Sequence, residues 1–422
     1  MRDIVITLFI LAFLPKILKQ AWIGALLFVW ISVMTPHQFA YGFATTAPFA
    51  AVVAATTMLS ALLHRDQVDY RLDLPMALLL FFPLWMCVTY AFALEQDAGY
   101  NRWVEVMKIF IMLHVASSVI RTRQHVELLV WVLVISVGFF GVKGGAFTLL
   151  SGGASRVYGP PGQTFMSDNN AVSIALVMIV PLMGYLRTLA TKPWQRHAAL
   201  GAMGLSFMAI LGSQSRGALL AVLAMTFMLW IKAKNKLVLL LVLLVLVPVG
   251  IGFMPDSWTE RMHTIKTYEQ DTSAMGRINA WHNAFNLAND RPLVGGGFEL
   301  YTARVFAKYA PDPTDVHAAH SVYFQILGEH GYVGLLTYLS IIIVTWTRCR
   351  RLIKRCEGDP EWDWAARLMR ALQISLVGFS VGGTFVNIGY WEILYYEVLM
   401  VVVVHRMVFA PKRKPAVVSL GV

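Results

Sequence analysis

Leu74-Pro-Met-Ala-Leu-Leu-Leu-Phe-Phe-Pro-Leu-Trp-Met-Cys-Val-Thr-Tyr-Ala-Phe-Ala-Leu94 runs without a single charged side chain. A helix needs roughly 20 mostly apolar residues to cross the hydrocarbon core of a bilayer, and this stretch has that length. Comparable runs recur at Leu128–Leu150, Ala171–Leu189 and Leu237–Met254. Counting outward from them predicts an all-α, polytopic membrane protein of about 12 transmembrane helices. The first 36 residues read equally as two short spans or as one span preceded by an interfacial piece.

Composition agrees with the runs. The 422 residues are 57% hydrophobic and 14% charged, with mean hydropathy +0.61. Soluble domains carry nearer a quarter charged residues. The net charge of +11 is dispersed over short loops, where lysine and arginine orient membrane proteins, so no nucleic-acid partner is expected. The N-terminal apolar stretch ends in Pro15-Lys16-Ile17-Leu18-Lys19 without a small-residue cleavage site, and is expected to remain part of the fold. Three cysteines (Cys87, Cys349, Cys356) exclude a disulfide framework.

The connectors alternate in charge. His64–Asp73, Arg121–His125, Arg187–His197, Lys232–Lys236, Arg348–Arg370 and Arg406–Lys414 are basic and read as cytoplasmic. Thr35–Phe43, Glu95–Asn101, Ser151–Asn170, Gly212–Gly217, Pro255–His320 and Asn387–Glu392 are poor in lysine and arginine and face the other side, the periplasm of a cell with two membranes. We read one membrane domain over residues 1–422, with 255–320 as a periplasmic insertion long enough to imply function. Within it, Thr272 or Ser273 caps a helix through Arg277, Trp281 and Phe285, which share a face. Gly295-Gly296-Gly297 would end it in a flexible turn, and Tyr301–Tyr309 reads as a further short helix.

Arg156, Arg216 and Arg277 therefore stand in outer connectors, against the usual bias. Guanidinium forks donate paired hydrogen bonds to phosphate and keep their charge. Each such bond contributes roughly 1.5–3 kcal/mol, so two or three could hold a pyrophosphate and neutralise it as a leaving group. For each arginine alone, snorkelling or pairing with an acid is the simpler reading. Arg216 is the least ordinary, as the sole charge in the turn Gly212-Ser213-Gln214-Ser215-Arg216-Gly217, whose exposed N–H groups suit an anion. His320 is a base that titrates near neutrality, or a histidine capping a helix start. His317 and His320 share a helical face, but without a clear third ligand no metal is expected. There is no DxD-type acidic pair and no phosphate-cradling loop of the Walker type, so no nucleotide cofactor is expected. Glu329, inside a span, orients a partner or is a satisfied buried acid.

The stretch His320-Ser321-x-Tyr323-Phe324-x-x-Leu327-Gly328-Glu329-x-Gly331-x-x-Gly334-Leu335 resembles the signature of the O-antigen ligase and O-antigen polymerase superfamily. Ser215-Arg216-Gly217-Ala218, Arg277-x-x-x-Trp281 with Pro292-x-x-Gly295-x-Gly297, and the loop Arg156 to Asn170 match its other motifs in order and spacing. Met34-Thr35-Pro36-His37-Gln38 and Tyr41-Gly42-Phe43-Ala44 look like the branch of O-glycosylation ligases found beside exosortase systems. Ser321 stands where the superfamily often has asparagine, and Asp168-Asn169-Asn170 replaces a Pro-Asn pair, leaving Asn170 as the match.

The resemblance implies a multi-pass protein of the bacterial inner membrane with a periplasmic active site. It implies inverting, metal-independent transfer of a glycan from undecaprenyl pyrophosphate to a lipid A–core sugar. His320 would act as base and Arg216 and Arg277 would hold the pyrophosphate. Arg156, Asn170, Ser215, Trp281 and His317 would contact substrate. A lipid-linked glycan polymerase or a protein O-glycosylation ligase would share the donor and the chemistry. A transporter of the donor is the competing class, distinguished by polar residues on interrupted helices near the bilayer midplane.

Overall fold

The computed structural model describes residues 1–410 except 163, 233–234, 238–240, 242–243, 245–247, 249, 251, 257 and 259–271. The described residues form helices and turns, with no strand among them. The helices are α1 (Arg2–Lys19), α2 (Ala21–Met34), α3 (Phe49–Leu63), α4 (Leu74–Ala91), α5 (Gln96–Val119), α6 (Arg123–Leu150) and α7 (Asn169–Leu189). They continue as α8 (Pro193–Gly212), α9 (Arg216–Lys232), α10 (Thr272–Asp290), α11 (Ala303–Tyr309), α12 (Val322–Cys356), α13 (Asp363–Gly382) and α14 (Glu392–Val408). Five of these, α4, α6, α7, α12 and α13 (with the turn that follows it), are long and apolar enough to cross a membrane; α2 and α3 are shorter apolar helices. The first 36 residues thus form two helices, broken at Gln20. The expected span Leu237–Met254 and the first part of the 255–320 connector lie largely outside the described residues.

Contacts between connectors sort them into two ends, and the sorting follows their charge. At the basic end Asp73 caps α4 by accepting from the Met76 N–H, and its carboxylate lies 3.4 Å from both Arg348 and Arg406. Arg406 also donates to the Ser117 carbonyl at 2.9 Å, and Arg121 donates to the Asp66 carbonyl at 3.0 Å. At the opposite end the Leu94 N–H donates to the Gly296 carbonyl at 2.8 Å and the Val157 N–H to the Gly212 carbonyl at 3.0 Å. There, too, Gly162 packs against Gln38.

The centre of the bundle is α14, in which every residue from Glu392 to Val404 is buried. A helix buried on every face must be enclosed by others, and α14 is packed by α4, α5, α6, α12 and α13.

One helix is interrupted. Within α12 the backbone leaves helical geometry at Gly331, at φ 66° and ψ −169°. The break frees carbonyls that would otherwise bond one turn on, and buried backbone groups need partners. The Pro292–Gly297 segment supplies them. The Gly296 N–H donates to the Gly328 carbonyl at 2.7 Å, the Gly297 N–H to the Glu329 carbonyl at 2.9 Å, and the Tyr332 N–H to the Pro292 carbonyl at 2.8 Å. This corrects the expectation of a flexible triglycine turn: the segment is bound into the helix break. A Cβ on Gly295 would stand 2.5 Å from the Gly328 carbonyl oxygen, which explains why close approach needs glycine there.

Candidate functional site

Two clusters meet at the end of the bundle opposite the basic connectors. The first joins the 151–170 loop to the turn after α8. Gln214, in the left-handed region at φ 55°, accepts from Arg156 Nε at 3.3 Å and donates to the Gly153 carbonyl at 3.2 Å. Asn169 donates from its amide to the Ser213 carbonyl at 2.8 Å. Ser215 is buried, and its Oγ accepts from the Ala218 N–H at 3.3 Å. That is an N-cap, and it fixes where α9 begins. Arg216 is the first residue of α9 and is half-buried.

The second cluster joins α10 to the segment before α12. Trp281 donates from its indole N–H to the Ala319 carbonyl at 2.7 Å and stacks on Phe324 with ring centroids 5.0 Å apart. On the far side of His320, the Ser321 N–H donates to Asn387 Oδ1 at 3.0 Å. His320 is held between these anchors at φ 44°, in the left-handed region. A non-glycine residue pays for that geometry, and surroundings that enforce it mark candidate functional sites. Arg277, one turn before Trp281, is half-buried. His317 faces Asp315, with Nδ1 2.6 Å from Oδ1.

The short turn Gly383–Phe385 after α13 bridges the clusters. Phe385 packs on Gly217 at the start of α9, while Gly383 packs on Val322 at the start of α12. Electrostatics connects them as well. Burial, chiefly, holds the His320 imidazole below its ordinary pKa of 6.5; the Arg277 charge and His317 add to this and Asp168 opposes it. Such a ring stays neutral and proton-accepting near neutral pH.

The expected site residues therefore fall into distinct structural roles. Arg156, Arg216, Arg277 and His320 lie on the segments that converge. Asn170 is the second residue of α7, and the side chain of the capping Asp168 accepts from its N–H; its neighbour Asn169 is the residue that ties the loop to the Ser213 turn. Ser215 caps a helix and Trp281 buttresses the His320 segment. Short capping and stacking residues are indistinguishable in sequence from residues that touch ligand. Sequence reading gave no role to Asn169, Gln214 or Asn387, each an uncharged amide whose partner is remote in the chain.

It also missed a buried chain of polar groups behind His320. Glu329 accepts from the Tyr390 hydroxyl. Tyr390 also meets His330 Nε2 at 2.6 Å, and His330 Nδ1 meets Thr89 Oγ1 at 2.7 Å. Glu329 was expected to orient a partner or to be a satisfied buried acid, and its bond to Tyr390 fits the second description. The polar chain and the interrupted helix are features the sequence argument associated with transporters. Here the break is filled by backbone from the 292–297 segment.

Residues 201–339 match the family model described as O-antigen ligase. Residues 1–191 match a model described as a family of unknown function. No curated protein matches the chain.

Proposed function

The chain belongs to the O-antigen ligase superfamily, and from that premise we propose that it is an O-antigen ligase. In this reading it moves a glycan from undecaprenyl pyrophosphate to a lipid A–core sugar at the periplasmic face of the inner membrane, with inversion and without a metal. Glycosyl transfer of the ligase or polymerase kind is what the family supports; donor, acceptor and residue roles are our assignment. The observation that carries it is His320 held at a strained backbone, its imidazole pKa lowered by burial and by the Arg277 charge.

His320 takes the proton of the acceptor hydroxyl as that oxygen attacks the anomeric carbon. The bond from that carbon to the pyrophosphate oxygen breaks, and the leaving pyrophosphate gains negative charge. Arg216 and Arg277 hold it, with Arg156 beside them through Gln214. Fixed positive charge aimed at developing negative charge lowers the barrier without reorganisation. Asn170, His317 and Trp281 line the approach, and Ser215 sets the direction of Arg216 through the cap. The alternative acceptors, a growing lipid-linked glycan or a protein hydroxyl, use the same donor and the same groups.

A reconstituted assay tests this. Purified protein in detergent receives lipid-linked donor and either core lipid, a second donor molecule or a protein acceptor, with and without EDTA. Product on core lipid, undiminished by chelation, is the expected result. No product on core lipid, or loss with EDTA reversed by a divalent cation, overturns the ligase or the metal-free assignment respectively.

Two further outcomes are expected. Arg216→Lys recovers only part of the activity lost in Arg216→Ala, because lysine keeps the charge but not the two-pronged fork; equal recovery would remove the bidentate role. The pH profile of kcat/KM should rise through an apparent pKa below 6.5. A base must be unprotonated to act, so activity is lost as pH falls through that value. Arg277→Gln removes a cause of the depression, so its residual activity should inflect at higher pH. The limb stays short of 6.5 because burial, the larger cause, remains.

A further inference from the structure

A groove of about 480 Å³ lies beside this site, walled by α2, α3 and α5 and closed by the 164–166 loop and the start of α14. Its sides are apolar: Phe28, Val33, Met58, Ile109 and Met112, with Ala50, Ala51, Ala54 and Ala55 along α3. Small side chains on one helix face leave room for a chain alongside it.

The polar groups lining it are the unusual part. Glu392 is 2% exposed; one carboxyl oxygen accepts from Ser32 and the other, Oε2, has no partner. Thr35 Oγ1, His37 Nδ1 and Thr164 Oγ1 are also buried without a partner, and all three residues line the same groove. Buried polar atoms are seldom left unsatisfied, since each costs roughly 1–3 kcal/mol. Four such atoms belong to residues lining one cavity, where a ligand that brings several donors and acceptors would satisfy them as the side chains turn toward it.

Charge narrows the ligand. Glu105, Lys108 and Glu392 are the charged residues of the lining, and Glu105 is paired with Arg102 at 2.7 Å. What remains is one carboxyl group and one ammonium, with no net positive charge for a diphosphate. Hydroxyls suit the orphan atoms, because each donates one hydrogen bond and accepts others.

We propose that this groove binds a glycolipid, its alkyl chain along the alanine face of α3 and the uncharged hydroxyls of its sugar on Glu392, Thr35, His37 and Thr164. Resting on the proposed function, it is the acceptor's site, and it makes the acceptor a lipid rather than a protein. Two segments link groove and base. The loop bearing Thr164 continues to Asp168, whose charge reaches His320. The segment before Trp391 and Glu392 carries Asn387, which holds Ser321. A sugar seated in the groove is thus next to one segment that anchors the base through Ser321 and one whose charge reaches it.

Photolabelling tests the proposal on the full chain in phosphatidylcholine nanodiscs, with no donor present. The probe is dodecyl β-glucoside carrying a diazirine in its chain. Label is expected on peptides containing Ala50–Met58 or Ile109–Met112, displaced by unlabelled dodecyl glucoside. Ala54→Trp fills the groove and should reduce it at least about tenfold, equivalent to about 1.4 kcal/mol. Glu392→Gln keeps the shape and should weaken competition several-fold at unchanged thermal stability. In the transfer assay both variants should raise KM for acceptor lipid and leave kcat near wild type. Equal labelling of these peptides by a diazirine phosphatidylcholine, displacement by a polyprenyl diphosphate, or wild-type labelling in Ala54→Trp overturns the proposal. Because labelling needs no donor, the two readings fail separately. Transfer without groove labelling removes the groove alone; labelling without any transfer leaves a glycolipid groove and removes the transferase reading together with the acceptor role that rests on it.

Discussion

His320→Ala should lower glycosyl transfer by about 10²–10⁴-fold, the range a positioned general base contributes, while the protein still accumulates in the membrane. The structure separates this loss from a folding defect. The anchors that shape the segment are the Trp281 indole on the Ala319 carbonyl and Asn387 on the Ser321 N–H. Both are contacts to backbone or to neighbouring side chains, so alanine leaves them in place. The left-handed backbone at His320 is no easier for alanine than for histidine, and the variant is expected to be slightly strained but folded. His320→Gln keeps a polar side chain and should be as inactive as alanine, since an amide does not accept a proton at neutral pH. Wild-type transfer in either variant, measured with saturating donor and acceptor, would remove His320 from the mechanism.

The second large effect falls on stability. Gly331→Val should prevent accumulation of folded protein. The residue sits at φ 66° and ψ −169°, a region essentially reserved for glycine and costing about 1–3 kcal/mol for other residues. Its Cβ would lie 2.4 Å from the Leu293 carbonyl oxygen and 2.6 Å from that of Pro292. Both atoms are backbone, so neither can swing aside. Moving them pulls the Pro292–Gly297 segment away from α12 and breaks three hydrogen bonds to its interruption. The contrasting variant is Gly204→Ala in α8, where an added Cβ meets nothing within 4 Å. Alanine in a helix interior is favoured by roughly 0.5–1 kcal/mol over glycine, so that variant should match or exceed wild type. Thermal unfolding in detergent and the amount of folded protein extracted from membranes check both, and a Gly331→Val protein as stable as wild type would mean that the helix break is not needed for folding.

Sequence carried the helical membrane class because hydrocarbon imposes long apolar runs, and α4, α6 and α7 begin and end close to those runs. The two-ended arrangement of connectors was also legible, since lysine and arginine mark one end and the contacts follow them. The proposed site was partly suggested by sequence: Arg216, Arg277 and His320 are charged or titratable residues in connectors otherwise poor in lysine and arginine, and such residues stand out against an apolar background. Asn387 and Asn169 do not, because a neutral amide is ordinary in a turn and gains meaning only from a partner far along the chain. Gly331 and Gly295 were visible as family motif positions, but one sequence gives no means of learning that the first breaks a helix and the second fits into the break. The groove was invisible for a similar reason: alanines on α3 read as routine helix filler until Thr35, Thr164 and Glu392 are brought to face them.

The insertion of the 292–297 backbone into α12 sets a rule for building chimeras. A connector swapped from a related protein at its two helix ends would carry a foreign plug into a native socket, and a mismatch of one residue would misalign all three hydrogen bonds at once. The exchange should instead leave Arg291–Leu300 with the helix it completes and cut on the α11 side, near Thr302 and Ala310, where the chain caps a short helix and returns to the surface. Cut there, the remainder of the connector could be traded between relatives as an independent part; cut anywhere nearer Gly297, the trade would rewrite a membrane helix.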